Sequence, residues 1–210
     1  MYTLYYSPGA ASLVVHWLLI EIGAKHELRK LDLAAGEHRR PEYLALNPNG
    51  VVPTLLVHGE PLAEAAALVL HLADVHPSFG LAPEPGSIER GRYYQWVLHL
   101  ANTLQPAFRT WFYPGEAAGE APAEAAQTLA RQRIEAAWER IEAHLAKRGP
   151  YLLGASVSAA DFYLAMLMRW SRNMPRPATD WPQLAALAQR MKARPSFRTL
   201  YEREGLTEWA

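Results

Sequence analysis

Apolar and polar positions follow two different rhythms along this chain, and the change comes near residue 87. In the first part, Thr3-Leu4-Tyr5-Tyr6 and Val51-Val52-Pro53-Thr54-Leu55-Leu56-Val57 have the aromatic and β-branched character of strands. From Ser12, the residues Leu13, Trp17 and Ile20, with Val14 and Leu18, recur at helical spacing up to a stop at Gly23. His26 to Leu33 predicts a second strand, interrupted by charges. Arg40 to Leu46 predicts a short helix, closed by the turn Asn47-Pro48-Asn49-Gly50. His58-Gly59-Glu60 turns the third strand into a brief fourth, and Ala63 to His76 is helical. The order is β-α-β-α-β-β-α, a layered α/β domain.

Pro77 to Gly86 then holds three prolines and two glycines, which marks a linker over 78–86. Ser87 to Phe112 reads as one long helix, broken over Pro114 to Pro122. Ala123 to Lys147 follows as another, with Leu129, Arg133, Ala136/Ala137, Ile141 and Leu145 along one side. Ser158 to Arg172, Trp181 to Arg194 and Ser196 to Arg203 complete the helices, and no strand is predicted after residue 87. The fold class is α/β plus all-α: an N-terminal α/β domain at 1–77 and an all-helical domain at 87–210.

Composition narrows the chemistry. The 21 basic and 21 acidic side chains cancel, so no global field favours nucleic acid or an anionic membrane. There is no cysteine, which excludes disulfides, thiolate metal sites and a protein thiol nucleophile. The eight histidines show no metal-ligand spacing, and no glycine-rich phosphate loop occurs. No apolar run approaches the ~20 residues that span a bilayer, and no signal core opens the chain, so a cytoplasmic location is expected.

Four motifs in order carry a resemblance over essentially the whole chain: Tyr6-Ser7-Pro8-Gly9-Ala10-Ala11-Ser12, Asn47-Pro48-Asn49-Gly50-Val51-Val52-Pro53-Thr54-Leu55, Leu62-Ala63-Glu64-Ala65-Ala66-Ala67-Leu68 and Ser156-Val157-Ser158-Ala159-Ala160-Asp161-Phe162-Tyr163-Leu164. The sequence resembles the glutathione transferases, nearest the bacterial beta-type branch. The resemblance implies a thioredoxin-like N-terminal domain, glutathione as co-substrate, no metal, and a homodimer. It implies a cis bond before Pro53, which frees the N–H and C=O of Val52 to pair with the cysteinyl unit of glutathione. It implies that Glu64 pairs the γ-glutamyl ammonium and that the N–H of Ala65 donates to the neighbouring carboxylate. Arg39, among His38, Arg39 and Arg40, is placed near the glycyl carboxylate, and Gln105 on the long helix beside glutathione. Ser158 and Asp161 form a capping box with a structural role.

The family's reactive side chains are missing. Beta-type relatives carry cysteine where this chain has Ala11, serine-using branches carry serine at Ala10, and a His-Lys pair aligns with Gln105-Pro106. Glutathione brings its own sulfur, however, and a helix N-terminus favours its thiolate. Ser12 is either a hydroxyl donor to that sulfur or an N-cap, and Tyr6 is either a second donor or a core residue. Phe108, Trp111 and Phe112 lie at i, i+3 and i+4, which makes them a core stripe or an apolar wall for a small electrophile. Tyr93 and Tyr94 look exposed enough to meet a second copy. The expected activity is transfer of glutathione to an apolar electrophile. A non-catalytic glutathione-binding protein and a glutathione-dependent disulfide reductase are the alternatives.

Overall fold

The computed structural model describes residues 1–119 and 122–209. The chain divides into two compact units. One comprises Met1–Ala82 together with the C-terminal segment from Lys192, and the other is Pro83–Met191.

The first unit holds a four-stranded sheet of β1 (Tyr2–Tyr6), β2 (His26–Lys30), β3 (Thr54–Val57) and β4 (Glu60–Ala63), in the order β2-β1-β3-β4. β1 and β2 are parallel, and β3 is antiparallel to both β1 and β4. The crossover between the parallel strands is α1 (Ser12–Glu21), as a parallel pair requires. α2 (Pro41–Leu44) precedes β3, and α3 (Ala65–Val75) follows β4 and packs against α1. Leu4 and Leu55, paired across β1 and β3, are fully buried. β2 contains the charged residues Glu27, Arg29 and Lys30 and ends at Lys30, three residues before the predicted end at Leu33.

α1 buries every residue from Ser12 to Leu19, more than a one-sided stripe requires. The reason is α10 (Pro195–Glu204), which packs on α1 from the other side. Trp17 donates its indole N–H to Ser196 Oγ at 2.9 Å, and Glu21 pairs with Arg194 and accepts from Ser196. By packing, the segment from Lys192 groups with the first unit, although the sequence reading places it in the helical domain of 87–210. Ala210 lies outside the described residues.

The second unit contains α4 (Ile88–His99), α5 (Gln105–Phe112), α6 (Pro114–Ala118), α7 (Ala123–Arg148), α8 (Ala159–Trp170) and α9, which closes at the unit boundary (Pro182–Lys192). The predicted single helix over 87–112 is interrupted by a π-helical turn at Leu100–Leu104. Pro106 accounts for it: without an N–H, and with a ring that crowds the preceding turn, it cannot continue a regular ladder. The break read over Pro114–Pro122 contains the short helix α6, whose Glu116 pairs with Arg109 at 2.5 Å. Two residues of that stretch, Glu120 and Ala121, lie outside the described residues. The buried stripe of α7 is Ala130, Ile134, Ala137, Trp138, Ile141 and Leu145; Leu129 and Arg133 point outward. α8 is the centre, buried continuously from Ala159 to Arg169. Among the described residues, no helix is long and apolar enough to cross a membrane.

Candidate functional site

Strand register gathers one end of the sheet into a row. Tyr5 pairs with Thr54, and Thr54 with Ala63, so Tyr6, Pro53 and Glu64 follow one another across three neighbouring strands. At a strand spacing of about 4.8 Å, this row spans about 10 Å, the scale of a tripeptide. α1 starts six residues after Tyr6, and α3 starts directly after Glu64.

The Val52–Pro53 bond is cis. Val52 and Pro53 are buried, and no hydrogen bond within the described residues uses the N–H or C=O of Val52. The loop before them is pinned from behind. Tyr43 donates its hydroxyl to the Val51 carbonyl at 2.6 Å, and Asn47 donates to the same carbonyl at 2.8 Å. Thr54 Oγ1 lies 2.7 Å from the Tyr43 hydroxyl, and also accepts from Asn47 at 3.2 Å, so the buried polar groups here satisfy one another. The dense turn signal Asn47-Pro48-Asn49-Gly50 thus works as a brace for Val51-Val52.

Glu64 has φ +67° and ψ +110°, in a region that side-chain-bearing residues rarely occupy. Such a conformation costs on the order of 1–3 kcal/mol and clusters where function requires it. Its side chain is exposed and makes no capping bond to α3, while Ala65 behind it is buried. Arg39 is exposed, with no carboxylate partner among the described residues, whereas its neighbour Arg40 pairs with Glu37 at 3.1 Å. A Cβ built on Gly50 would lie 3.3 Å from Arg39 Cδ and 3.0 Å from the His38 carbonyl. The Arg39 stem therefore runs against the turn that leads to Val52, and φ +58° at Gly50 suits a residue without a side chain.

The opening turn resolves Ser12. Its hydroxyl has one proton, which it donates to the Ser7 carbonyl at 3.1 Å, and it accepts from the Ser7 N–H at 3.2 Å. Ser12 is 0 % exposed. The side chain faces inward as a staple, and Ala11, not Ser12, is the N-cap of α1. Turn bonds use the N–H groups of Ala10 and Leu13, at 3.1 and 2.9 Å, and leave those of Ala11 and Ser12 without a partner among the described residues. Tyr6 is buried against His16, with ring centroids 5.8 Å apart. Burial, and then the Glu204 carboxylate, push its phenol above the ordinary tyrosine value, so the hydroxyl keeps its proton and can only donate to an anion.

Behind this turn lies a pair that sequence reasoning missed. Glu204 on α10 accepts from the Gly9 N–H at 2.8 Å with one oxygen and from His16 Nδ1 at 2.8 Å with the other. Both side chains are fully buried. The two residues are 188 positions apart, and each occupies an ordinary helical position, so no local signal marks them.

In the second unit, Gln105 opens α5, and its side-chain carbonyl accepts from the Tyr163 hydroxyl. Phe108 corrects the reading of an electrophile wall. It is 0 % exposed, packed against Trp138 and Trp170 at 6.1 and 5.7 Å, and is a core residue. Phe112, four residues on, is 46 % exposed and stacks on Phe108 at 6.0 Å. Trp111 is half-buried. The capping box of α8 is present: Asp161 accepts from the Ser158 N–H at 2.8 Å, the Ser158 hydroxyl at 2.9 Å and the Leu152 N–H at 2.9 Å.

Residues 1–74 match the glutathione S-transferase N-terminal domain, and residues 97–203 match the glutathione S-transferase C-terminal domain. The chain belongs to the glutathione S-transferase family. It is 32% identical over 206 residues to a glutathione S-transferase of Xanthomonas campestris, covering 97% of this chain and 98% of that one. A glutathione S-transferase of Escherichia coli is likewise 32% identical, over 205 residues, with the same coverage. Among solved structures, a glutathione transferase from Methylococcus capsulatus superposes with a TM-score of 0.89 at 32% identity, covering 99% of this chain and all of the other. A sphingomonad glutathione S-transferase complexed with glutathione gives 0.85 at 33% identity, covering 98% of this chain and all of that one. The β-α-β-α-β-β-α unit followed by a helical unit is thus the glutathione transferase architecture, with cysteine absent from the whole sequence.

Proposed function

We propose that this glutathione transferase family member transfers glutathione to a small apolar electrophile, using backbone N–H groups at the start of α1 to stabilise the thiolate. The observation that carries the reading is the Ser7–Ser12 turn. The Ser12 hydroxyl donates inward, and the N–H of half-buried Ala11 stands without a partner among the described residues at the positive end of a ten-residue helix. A thiolate there gains typically 0.3–2 kcal/mol, which lowers a thiol pKa by at most about 1.5 units. The proton leaves to solvent, the sulfur attacks the electrophilic carbon, and an aryl halide would release its halide.

Glutathione binding is supported by the row at the end of the sheet. In this reading Val52 pairs the cysteinyl backbone beside Pro53, Glu64 takes the ammonium, the Ala65 N–H the adjoining carboxylate, and Arg39 the glycyl carboxylate. Tyr6 is a protonated second donor at the same end. In the helical unit, Trp111 and exposed Phe112 are the apolar surface for the electrophile. Gln105, its carbonyl taken by Tyr163, keeps its amide donors for a ligand. A two-fold homodimer belongs to the same proposal, supported by the exposure of Tyr94 and Leu98 on α4. Tyr93, read from sequence as exposed, is buried and drops out.

The direct test is turnover of glutathione with 1-chloro-2,4-dinitrobenzene, beside a glutathione mixed disulfide. Conjugation supports the transferase. Disulfide reduction without conjugation would assign the reductase reading, and tight binding with neither would leave a binding protein, the reading that Ala10, Ala11 and Gln105 favour.

A further inference from the structure

The geometry points to a binding site for a small free quaternary ammonium ion in the first unit, in the cleft between the sheet and α2. Strand alternation separates this cleft from the row that ends at Glu64. Neighbouring residues of β1 face opposite sides of the sheet, so Tyr6 lies against His16 of α1 and Tyr5 against Tyr43 of α2. The cleft on the α2 side has a volume of about 310 Å³, at the small end of the roughly 300–1,000 Å³ range of small-molecule sites. Tyr5, Leu31, Tyr43 and Leu46 supply its apolar lining, and Glu37, Arg40 and Glu42 its charges. All of these residues belong to one compact unit.

The aromatic pair and the charges select a cation. The Tyr5 and Tyr43 rings meet at 5.6 Å with 52° between their planes, a wedge of two π faces. A cation within about 6 Å of such faces is attracted by their quadrupoles. The Glu37 carboxylate is already committed, one oxygen to Arg40 at 3.1 Å and the other to the Asp32 N–H at 2.9 Å. Arg29, which lies beside Tyr5 on β2, is likewise held by Glu27 at 3.3 Å. Glu42 makes no ion pair among the described residues, so it leaves the cleft with an uncompensated negative charge. Hydrogen-bond acceptors are scarce here, because the Tyr43 hydroxyl is engaged by the Val51 carbonyl and Thr54. A primary ammonium brings N–H donors that such a lining leaves partly unsatisfied, at a cost. An ammonium whose nitrogen carries only alkyl groups needs no acceptor, and Leu31 and Leu46 offer apolar contact to its methyls.

The test titrates choline into the full-length protein and follows backbone amide signals by NMR, with and without saturating glutathione. Saturable shifts at millimolar choline, confined to the cleft and its neighbours and unchanged by glutathione, are expected. The uncharged isostere 3,3-dimethylbutan-1-ol should bind worse by about fivefold or more. Tyr5→Leu should weaken choline binding by about threefold or more, and Glu42→Gln by about two- to fivefold. If Tyr5→Leu does not fold, Glu42→Gln, at an exposed position, and the alcohol decide. No saturable shift, displacement by glutathione, equal binding of the alcohol, or unchanged affinity in either folded variant would each overturn the site. Sedimentation with phosphatidylcholine vesicles separates a free ion from a lipid headgroup. Protein that stays in the supernatant supports the free ion, and co-sedimentation would overturn it. None of these outcomes alters the transferase reading, which the conjugation assay decides separately.

Discussion

Serine 12 and glutamate 64 show how backbone conformation assigns work to side chains in this fold. Removing the Ser12 hydroxyl takes away a buried bond to Ser7 but no donor to the sulfur. Ser12→Ala should therefore cost about 0.5–1.5 kcal/mol of stability, read as a lower unfolding midpoint in urea, while the titration of bound glutathione stays where it was. Glu64 behaves oppositely. Its positive φ is relieved by glycine, so Glu64→Gly should gain on the order of 1 kcal/mol of stability and lose glutathione affinity by roughly ten- to a hundredfold in calorimetry. The motif around Ser12 was visible in the sequence, but the direction of its hydroxyl was not, because it depends on Ser7 curling back over the turn. Phe108 and Phe112 likewise share a stripe in sequence, and only packing by Trp138 and Trp170 separates the buried ring from the exposed one.

Elements were legible where they carry their own punctuation. Gly23, Asn47-Pro48-Asn49-Gly50 and the Ser158/Asp161 box all end or begin what they announce. Less legible were features set by partners at a distance, such as the all-round burial of α1 under α10 or the rotation of the α7 stripe toward Ile134 and Trp138. The α8 cap makes a prediction with a sign. Burial raises the Asp161 carboxyl from 3.8 to about 6, against the pull of its hydrogen bonds. Between about pH 4 and 6 the folded chain binds more protons here than the unfolded chain. This contribution to stability is therefore full below pH 4 and is lost as the pH rises through 6. A rise of that size corresponds to at most about 3 kcal/mol. The stability of the native chain relative to Asp161→Asn should fall by up to that amount from pH 4 to 7 in parallel denaturant titrations. A flat difference would show that the donors from Ser158 and Leu152 compensate fully for burial.

For the whole molecule, the order of motifs revealed the family, while the buried pair that joins Gly9 and His16 to Glu204 could only be found in three dimensions. Glu204→Gln should destabilise the first unit by about 1–3 kcal/mol, because it weakens a charge-assisted bond to His16 and the bond to the Gly9 N–H together. Sedimentation should give a species twice 23.5 kDa at micromolar concentration, and a stable monomer would contradict the proposed homodimer. The central claim concerns the sulfur that this cysteine-free chain borrows. Ultraviolet difference titration of bound glutathione tests it most directly, by following thiolate absorbance with pH. The account predicts a midpoint about 1 pH unit below that of the free tripeptide, in the native chain and in Ser12→Ala alike. A bound thiol that titrates with the free one would contradict it.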